Sequence, residues 1–197
     1  LLREREVLVL SHAAGISVRS TQVDLMLRRW VGELATALGE ANSLGDTAPP
    51  DEIDRAFARL LGRASSQRRV VVLIDALNQF EPTTRATHLT WLPRLWPPNS
   101  RLVATAISGT AATALLQRPG VIDARLSPID RDEALDIVSG ICARYHRTLS
   151  PVVEVRLLDK RREEGTPAYG NPLWLELAAE ALNLLGGILA GDRTDRL

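Results

Sequence analysis

Residues 70–75, Val-Val-Val-Leu-Ile-Asp, constrain the fold of this chain more than any other stretch. An unbroken apolar run of mostly β-branched residues, closed by one acid, reads as a buried strand of a parallel sheet rather than an alternating surface strand. Three further apolar or β-branched runs, 6–11, 102–107 and 121–126, are separated by segments of helical period. That alternation is the pattern of βαβ units, because parallel strands can be joined only through crossovers that lie against the sheet. The expected fold is α/β, with a parallel sheet of four visible strands and flanking helices.

The helical segments follow from spacing. Val23, Leu27, Trp30, Val31, Leu34 and Leu38 fall on one face, with Ser20 or Thr21 placed to cap the helix. Residues 39–50 hold breakers, and Asp51 opens a second helix whose apolar face is Ile53, Phe57, Leu60 and Leu61. Pro82 starts a short helical stretch that Pro93, Pro97 and Pro98 prevent from continuing, and 110–117 is another brief helix. After Pro128 no strand pattern remains: 131–145, 151–163 and 172–185 all carry helical period. The sequence therefore predicts an α/β domain over 1–128 and a small all-helical domain over 129–197.

Charge and cysteine use narrow the classes of function. The chain has 24 basic and 24 acidic residues and a formal net charge of zero, so no overall field draws it to nucleic acid or to an anionic membrane. A single cysteine, Cys142, permits no intrachain disulfide and no multi-cysteine zinc site, which fits a reducing, cytoplasmic setting. The three histidines, His12, His88 and His146, are too scattered to suggest a metal site, and no Ser-His-Asp, Cys-His or paired-carboxylate arrangement is visible. The opening residues lack an initiator Met and the layout of a signal peptide, and read as the interior of a longer chain. No apolar run is long enough to span a membrane.

Chemistry enters at Asp75. A buried parallel strand delivers its last side chain to the carboxyl edge of the sheet, where open α/β sheets bind ligands. Taken alone, such an acid is more commonly an N-cap or Asx-turn residue ending an ordinary buried strand. Its surroundings add to the signal. Asp75-Ala76-Leu77-Asn78-Gln79-Phe80 resembles the extended Walker B segment of NACHT-like STAND ATPases, a class of P-loop NTPase related to the AAA proteins. The stretch 10–17 with Ser20-Thr21, running into Leu27-Arg28-Arg29, resembles the strand and loop that follow the P-loop helix in that family. Trp91-Leu92-Pro93 and then 101–108 resemble the approach to its sensor-one strand, and Gly170-Asn171-Pro172 is similar to the Gly-x-Pro motif of its helical lid. The resemblance spans nearly the whole chain, in the family's order.

What the resemblance implies is an ATP- and Mg²⁺-dependent signalling switch. Asp75 would hold Mg²⁺, Pro172 would pack near the adenine, and His12 and Ser108 would face the nucleotide. Thr105 would stand beside Ser108 at the polar sensor. Asn78 and Gln79 occupy positions where many relatives carry acids; they can bind water but cannot take its proton, so hydrolysis should be slow or absent. Glu81 is the nearest other carboxylate. His12 is more often used as a strand-capping histidine than as a ligand, and Ser20 and Thr21 as caps. Arg85, Arg94 and Arg118 are the arginines on the expected ligand side, and the two readings are a finger acting in trans, supplied by any one of them, or solvated surface, which is the commoner use of exposed arginines.

One element of the family pattern is not in these residues. A phosphate cradle needs Gly-x-x-x-x-Gly-Lys-Ser/Thr, and the only lysine, Lys160, lies in a charged helical segment. In the family the P-loop would precede residue 1 on the central strand of a 5-1-4-3-2 sheet, leaving strands 2 to 5 visible here. Protein partners or self-assembly are expected ahead of small-molecule substrates. The alternatives are a decayed NTPase remnant serving as a protein-interaction module and, less favoured for want of a basic patch, an AAA+ motor acting on DNA.

Overall fold

The computed structural model describes residues 7–191, with side chains to residue 184. The chain divides into two compact units, Leu1–Asp123 and Ala124–Leu197. In the first, β1 (Leu8–Ala13), β2 (Val70–Asp75) and β3 (Ser100–Ala104) form a parallel sheet in the order β1-β2-β3, in register through Leu10↔Val72 and Val72↔Leu102. The crossovers carry α1 (Val23–Ala37), α2 (Pro50–Gln67) and the single turn α3 (Thr84–Thr87); α4 (Thr110–Leu116) follows β3. The α/β class read from the alternating runs is the class observed.

Helix α1 forms because Val23, Met26, Leu27, Trp30, Val31 and Leu34 make one buried stripe, and α2 because Ile53, Phe57, Leu60, Leu61 and Ala64 make another. Pro50 suits the first turn of α2, where its missing N–H costs nothing, and Asp51 and Glu52 sit favourably at the positive end of the helix. The two helices meet through Trp30 and Phe57, whose ring centroids are 5.7 Å apart. Beneath them lie Leu10, Val70, Val72 and Ile74. Each such side chain contributes about 1.5–3 kcal/mol by leaving water. Trp30 is wholly buried with no partner for its indole N–H, which sets roughly 1–3 kcal/mol against that gain.

Three expectations are corrected. The run 121–126 is not a strand: no residue of it joins the sheet, and Ile122 and Leu126 are almost fully exposed. β propensity makes a strand only where a neighbouring edge accepts the hydrogen bonds, and this segment meets none. Ser20 and Thr21 do not cap α1. They lie in a 3-10 turn, Val18–Thr21, which Ser17 caps by accepting from Ser20 N–H, and α1 starts after Gln22 with no side-chain cap. The helix expected over 151–163 stops at Leu158, because residues 160–168 fold back on themselves. An Arg161–Pro167 bridge and a turn at Gly165 hold that reversal.

In the second unit, α5 (Arg131–Arg144), α6 (Pro151–Leu158) and α7 (Pro172–Gly191) surround Ala134, Val138, Ile141, Cys142, Leu157, Leu158, Leu175 and Ala179. Asp130 and Glu133 form a reciprocal capping box at the start of α5. Before α7, Ile129 N–H donates to Gly170 O at 3.2 Å. A Cβ on Gly170 would stand 3.1 Å from Pro128 Cβ, so glycine gives these two segments a close approach that a larger residue would have to push apart by a few tenths of an ångström. Among the described residues, no helix is long and apolar enough to cross a membrane.

Candidate functional site

Asp75 is the last residue of the central strand, and its carboxylate is exposed at the carboxyl edge of the sheet. The pleat explains this position. Val70, Val72 and Ile74 point into the helical core, so Val71, Leu73 and Asp75 point to the other face. One carboxylate oxygen accepts from the Thr105 hydroxyl, and among the described residues the other has no hydrogen-bond donor. The turn after Asp75 is tight: Ala76 sits in the left-handed region at φ 56°, which costs a residue with a Cβ about 1–2 kcal/mol. Bonds from its own N–H and from that of the next residue hold it there, since Ala76 N–H donates to Thr105 Oγ1 at 2.9 Å and Leu77 N–H to Thr105 O at 2.8 Å.

Asn78 and Gln79 lie in the 3-10 turn that follows. Asn78 faces the β3–α4 loop, where its Oδ1 accepts from Ile107 N–H at 3.1 Å. Gln79 is exposed and lies over the loop after β1: a Cβ on Gly15 would be 3.1 Å from Gln79 Cβ, and Gly15 is left-handed at φ +83°. The left-handed backbone favours glycine there, and the close contact adds to that preference. The same two loops are joined again where Glu81 N–H donates to Thr21 O at 2.9 Å and Thr21 Oγ1 to Glu81 Oε1 at 3.3 Å. Ser108 is exposed in the β3–α4 loop.

His12 faces the opposite way from Asp75, toward the helical side. Its ring stacks on Phe80 at 5.5 Å and meets Trp30 edge-on at 6.3 Å. Nε2–H donates to Ser20 O at 2.8 Å, and Nδ1 accepts from Arg29, which has only donors to offer and so fixes the tautomer. Burial pushes His12 below the usual imidazole value; the Ser20 carbonyl opposes that shift and the charge of Arg29 adds to it. Arg29 also donates to Ser11 O at 2.6 Å, capping the outer edge of β1, which would otherwise present free carbonyls to another chain.

Two of the three arginines are committed. Arg85 reaches from α3 to Asp24 on α1 and Asp54 on α2, and Arg118 donates to the carbonyls of Leu89, Leu92 and Pro93. Arg94 is exposed. In the helical unit Pro172 is the first residue of α7 and is exposed, while Asn171 Oδ1 accepts from Trp174 N–H and caps the helix. The structural weight of Thr105 was not read from the sequence, which placed it only as a polar residue at a strand end. The one signal available was its register, since β3 runs beside β2 and a polar residue just past its end falls opposite the acid.

Among the described residues, no group of three or more His, Cys, Asp or Glu could enclose a metal ion. A divalent ion at Asp75 would therefore be held by this one carboxylate together with water and phosphate, which is how Mg²⁺ is commonly bound. The free oxygen of Asp75 fits that role.

No family model matches the chain, and no solved structure matches it. Two curated proteins are similar over part of it. One is a TPR repeat-containing protein of Dictyostelium discoideum, 24% identical over 119 residues, which are 60% of this chain and 7% of that protein. The other is the human NACHT domain- and WD repeat-containing protein 1, 28% identical over 115 residues, or 56% of this chain and 7% of that protein. The matched region is thus a small part of each relative, and the finding at family level is a partial similarity to a NACHT-containing protein and to a repeat protein.

Proposed function

We propose that this chain is part of a STAND/NACHT-like ATPase that works as a nucleotide-dependent signalling switch, with slow or no hydrolysis of its own. The observation that carries the reading is Asp75: an exposed carboxylate with one uncommitted oxygen, at the carboxyl edge of the central strand of a parallel sheet. The strand order β1-β2-β3 is the order of strands 2, 3 and 4 in a 5-1-4-3-2 sheet. In that arrangement the fifth strand pairs only with the first, which accounts for a β-prone segment at 121–126 that joins no ladder. The partial similarity to a NACHT-containing protein supports the same reading.

In this reading ATP brings the Mg²⁺, Asp75 holds it through water, and the metal neutralises charge on the phosphates. Asn78, tied to Ile107, and Gln79 supply no proton acceptor, so the ATP-bound state would be long-lived. His12 would act as the brace behind the site. The phosphate cradle would come from a Gly-x-x-x-x-Gly-Lys-Ser/Thr element that these 197 residues do not contain. A second reading, an NTPase-derived module that binds proteins, is favoured by the TPR and WD repeats named in the two relatives.

The deciding experiment is Mg²⁺-dependent ATP binding, by calorimetry, on a polypeptide extended upstream through a glycine-rich strand–loop–helix if the gene encodes one. Asp75→Ala is expected to weaken binding by about tenfold or more, by loss of a charged metal contact. Equal affinity in the variant sinks the Walker B role, and an upstream sequence with no such element favours the interaction module.

A further inference from the structure

Thr105 follows the last residue of β3, and its hydroxyl both accepts and donates: it accepts from Ala76 N–H at 2.9 Å and donates its one proton to Asp75 Oδ1. A hydroxyl has one proton to give, and the contact with Ala76 takes its accepting side, so the proton is directed at the carboxylate. The backbone around it is fixed in turn. Thr105 N–H donates to Ile74 O at 2.9 Å, Leu77 N–H donates to Thr105 O at 2.8 Å, and Ile107 N–H donates to Asn78 Oδ1 at 3.1 Å. These bonds close the ends of β2 and β3 onto each other and hold Ala76 in its left-handed conformation.

We propose that Thr105 is the positioning residue of Asp75. It holds one carboxylate oxygen and leaves the other presented at the sheet edge, and Asn78 anchors the clamp by tying the following loop. This differs from a sensor that touches phosphate, because the only proton of Thr105 is committed to Asp75. It also gives Asn78 a use that requires only a side-chain oxygen, which an Asp would supply equally well. The orientation exists without nucleotide; its use in holding Mg²⁺ rests on the function proposed above.

The test separates the two. In the 197-residue chain, three-bond couplings from Asp75 Cγ to its own N and C′ report the χ1 rotamer. A single rotamer is expected in the wild type and in Thr105→Ser, with rotamer averaging and faster Ala76 amide exchange in Thr105→Val. An unchanged single rotamer in Thr105→Val overturns the proposal, and Thr105→Ala serves the same comparison if the valine variant does not fold. In the extended polypeptide, Thr105→Val should lower Mg²⁺–ATP affinity by about tenfold, the low end for a residue that orients a metal ligand, with recovery in Thr105→Ser. Affinity lost in Asp75→Ala but kept in Thr105→Val overturns the use of the clamp. Affinity kept in both removes the nucleotide reading and leaves the rotamer result to decide the clamp.

Discussion

His12 shows how a residue that reads as a ligand becomes a brace. Both ring nitrogens are engaged, by Ser20 O and by Arg29, and the ring stacks on Phe80 and meets Trp30 edge-on. Its folded-state pKa lies below the ordinary 6.5, chiefly through burial. The folded protein therefore resists a proton that the unfolded chain accepts, and the stabilisation is complete above 6.5 and lost as pH falls through that value toward the depressed one. In His12→Phe, which keeps the stacking and removes the titration, stability should decline less between about pH 7.5 and about pH 5 than in the wild type. Urea midpoints measured across that range test this; two parallel curves would remove His12 from the acid response. The sequence showed a histidine at a strand end, but only the fold put its even-numbered position on the helical side of the sheet.

At the scale of elements, α3 is too short to be stable by its own hydrogen bonds, and beyond its Thr83 cap and the burial of Ala86 it is tied to the rest of the unit by Arg85. Arg85 spans Asp24 and Asp54 with a fifth of its side-chain surface exposed, joining α3 to both long helices. Arg85→Ala should cost about 1–2 kcal/mol: more than a surface pair, because two carboxylates would be left facing each other, and less than a buried one, because Asp24 and Asp54 are 41% and 25% exposed. Arg85→Lys should recover part of the loss, since a point charge cannot reproduce a fork that reaches two partners. Thermal unfolding of the three proteins makes the comparison, and an alanine variant as stable as the wild type would show that α3 is held by Ala86 and Leu89 packing instead. No partner for Arg85 was legible in the sequence, since Asp24 and Asp54 are distant along the chain and meet only after α1 and α2 pack.

For the molecule as a whole, the informative surface is the second face of the sheet. Val9, Leu73 and Val103 are 49%, 38% and 55% exposed, although a parallel sheet normally has helices on both sides. In the α/β unit every crossover lies on the other face, as right-handed connections between strands added in one direction require. Replacing these three residues by threonine, which suits a strand equally well, should reduce the binding of a hydrophobic dye and any self-association, while moving unfolding stability by no more than about 0.5 kcal/mol. Dye fluorescence, sedimentation and urea titration read the three effects, and a large loss of stability would mean that the face is packed in solution. By itself the sequence determined the α/β class, the two amphipathic helices and the acid at the strand end, because each follows from spacing within one segment. Only the tertiary structure decided that 121–126 forms no strand, that among the described residues of the α/β unit both crossovers pack on one face of the sheet, and that Thr105 rather than a neighbour in sequence holds Asp75. Those outcomes depend on which edges and loops meet, and hydrogen bonds between segments far apart in the chain leave no mark on local periodicity.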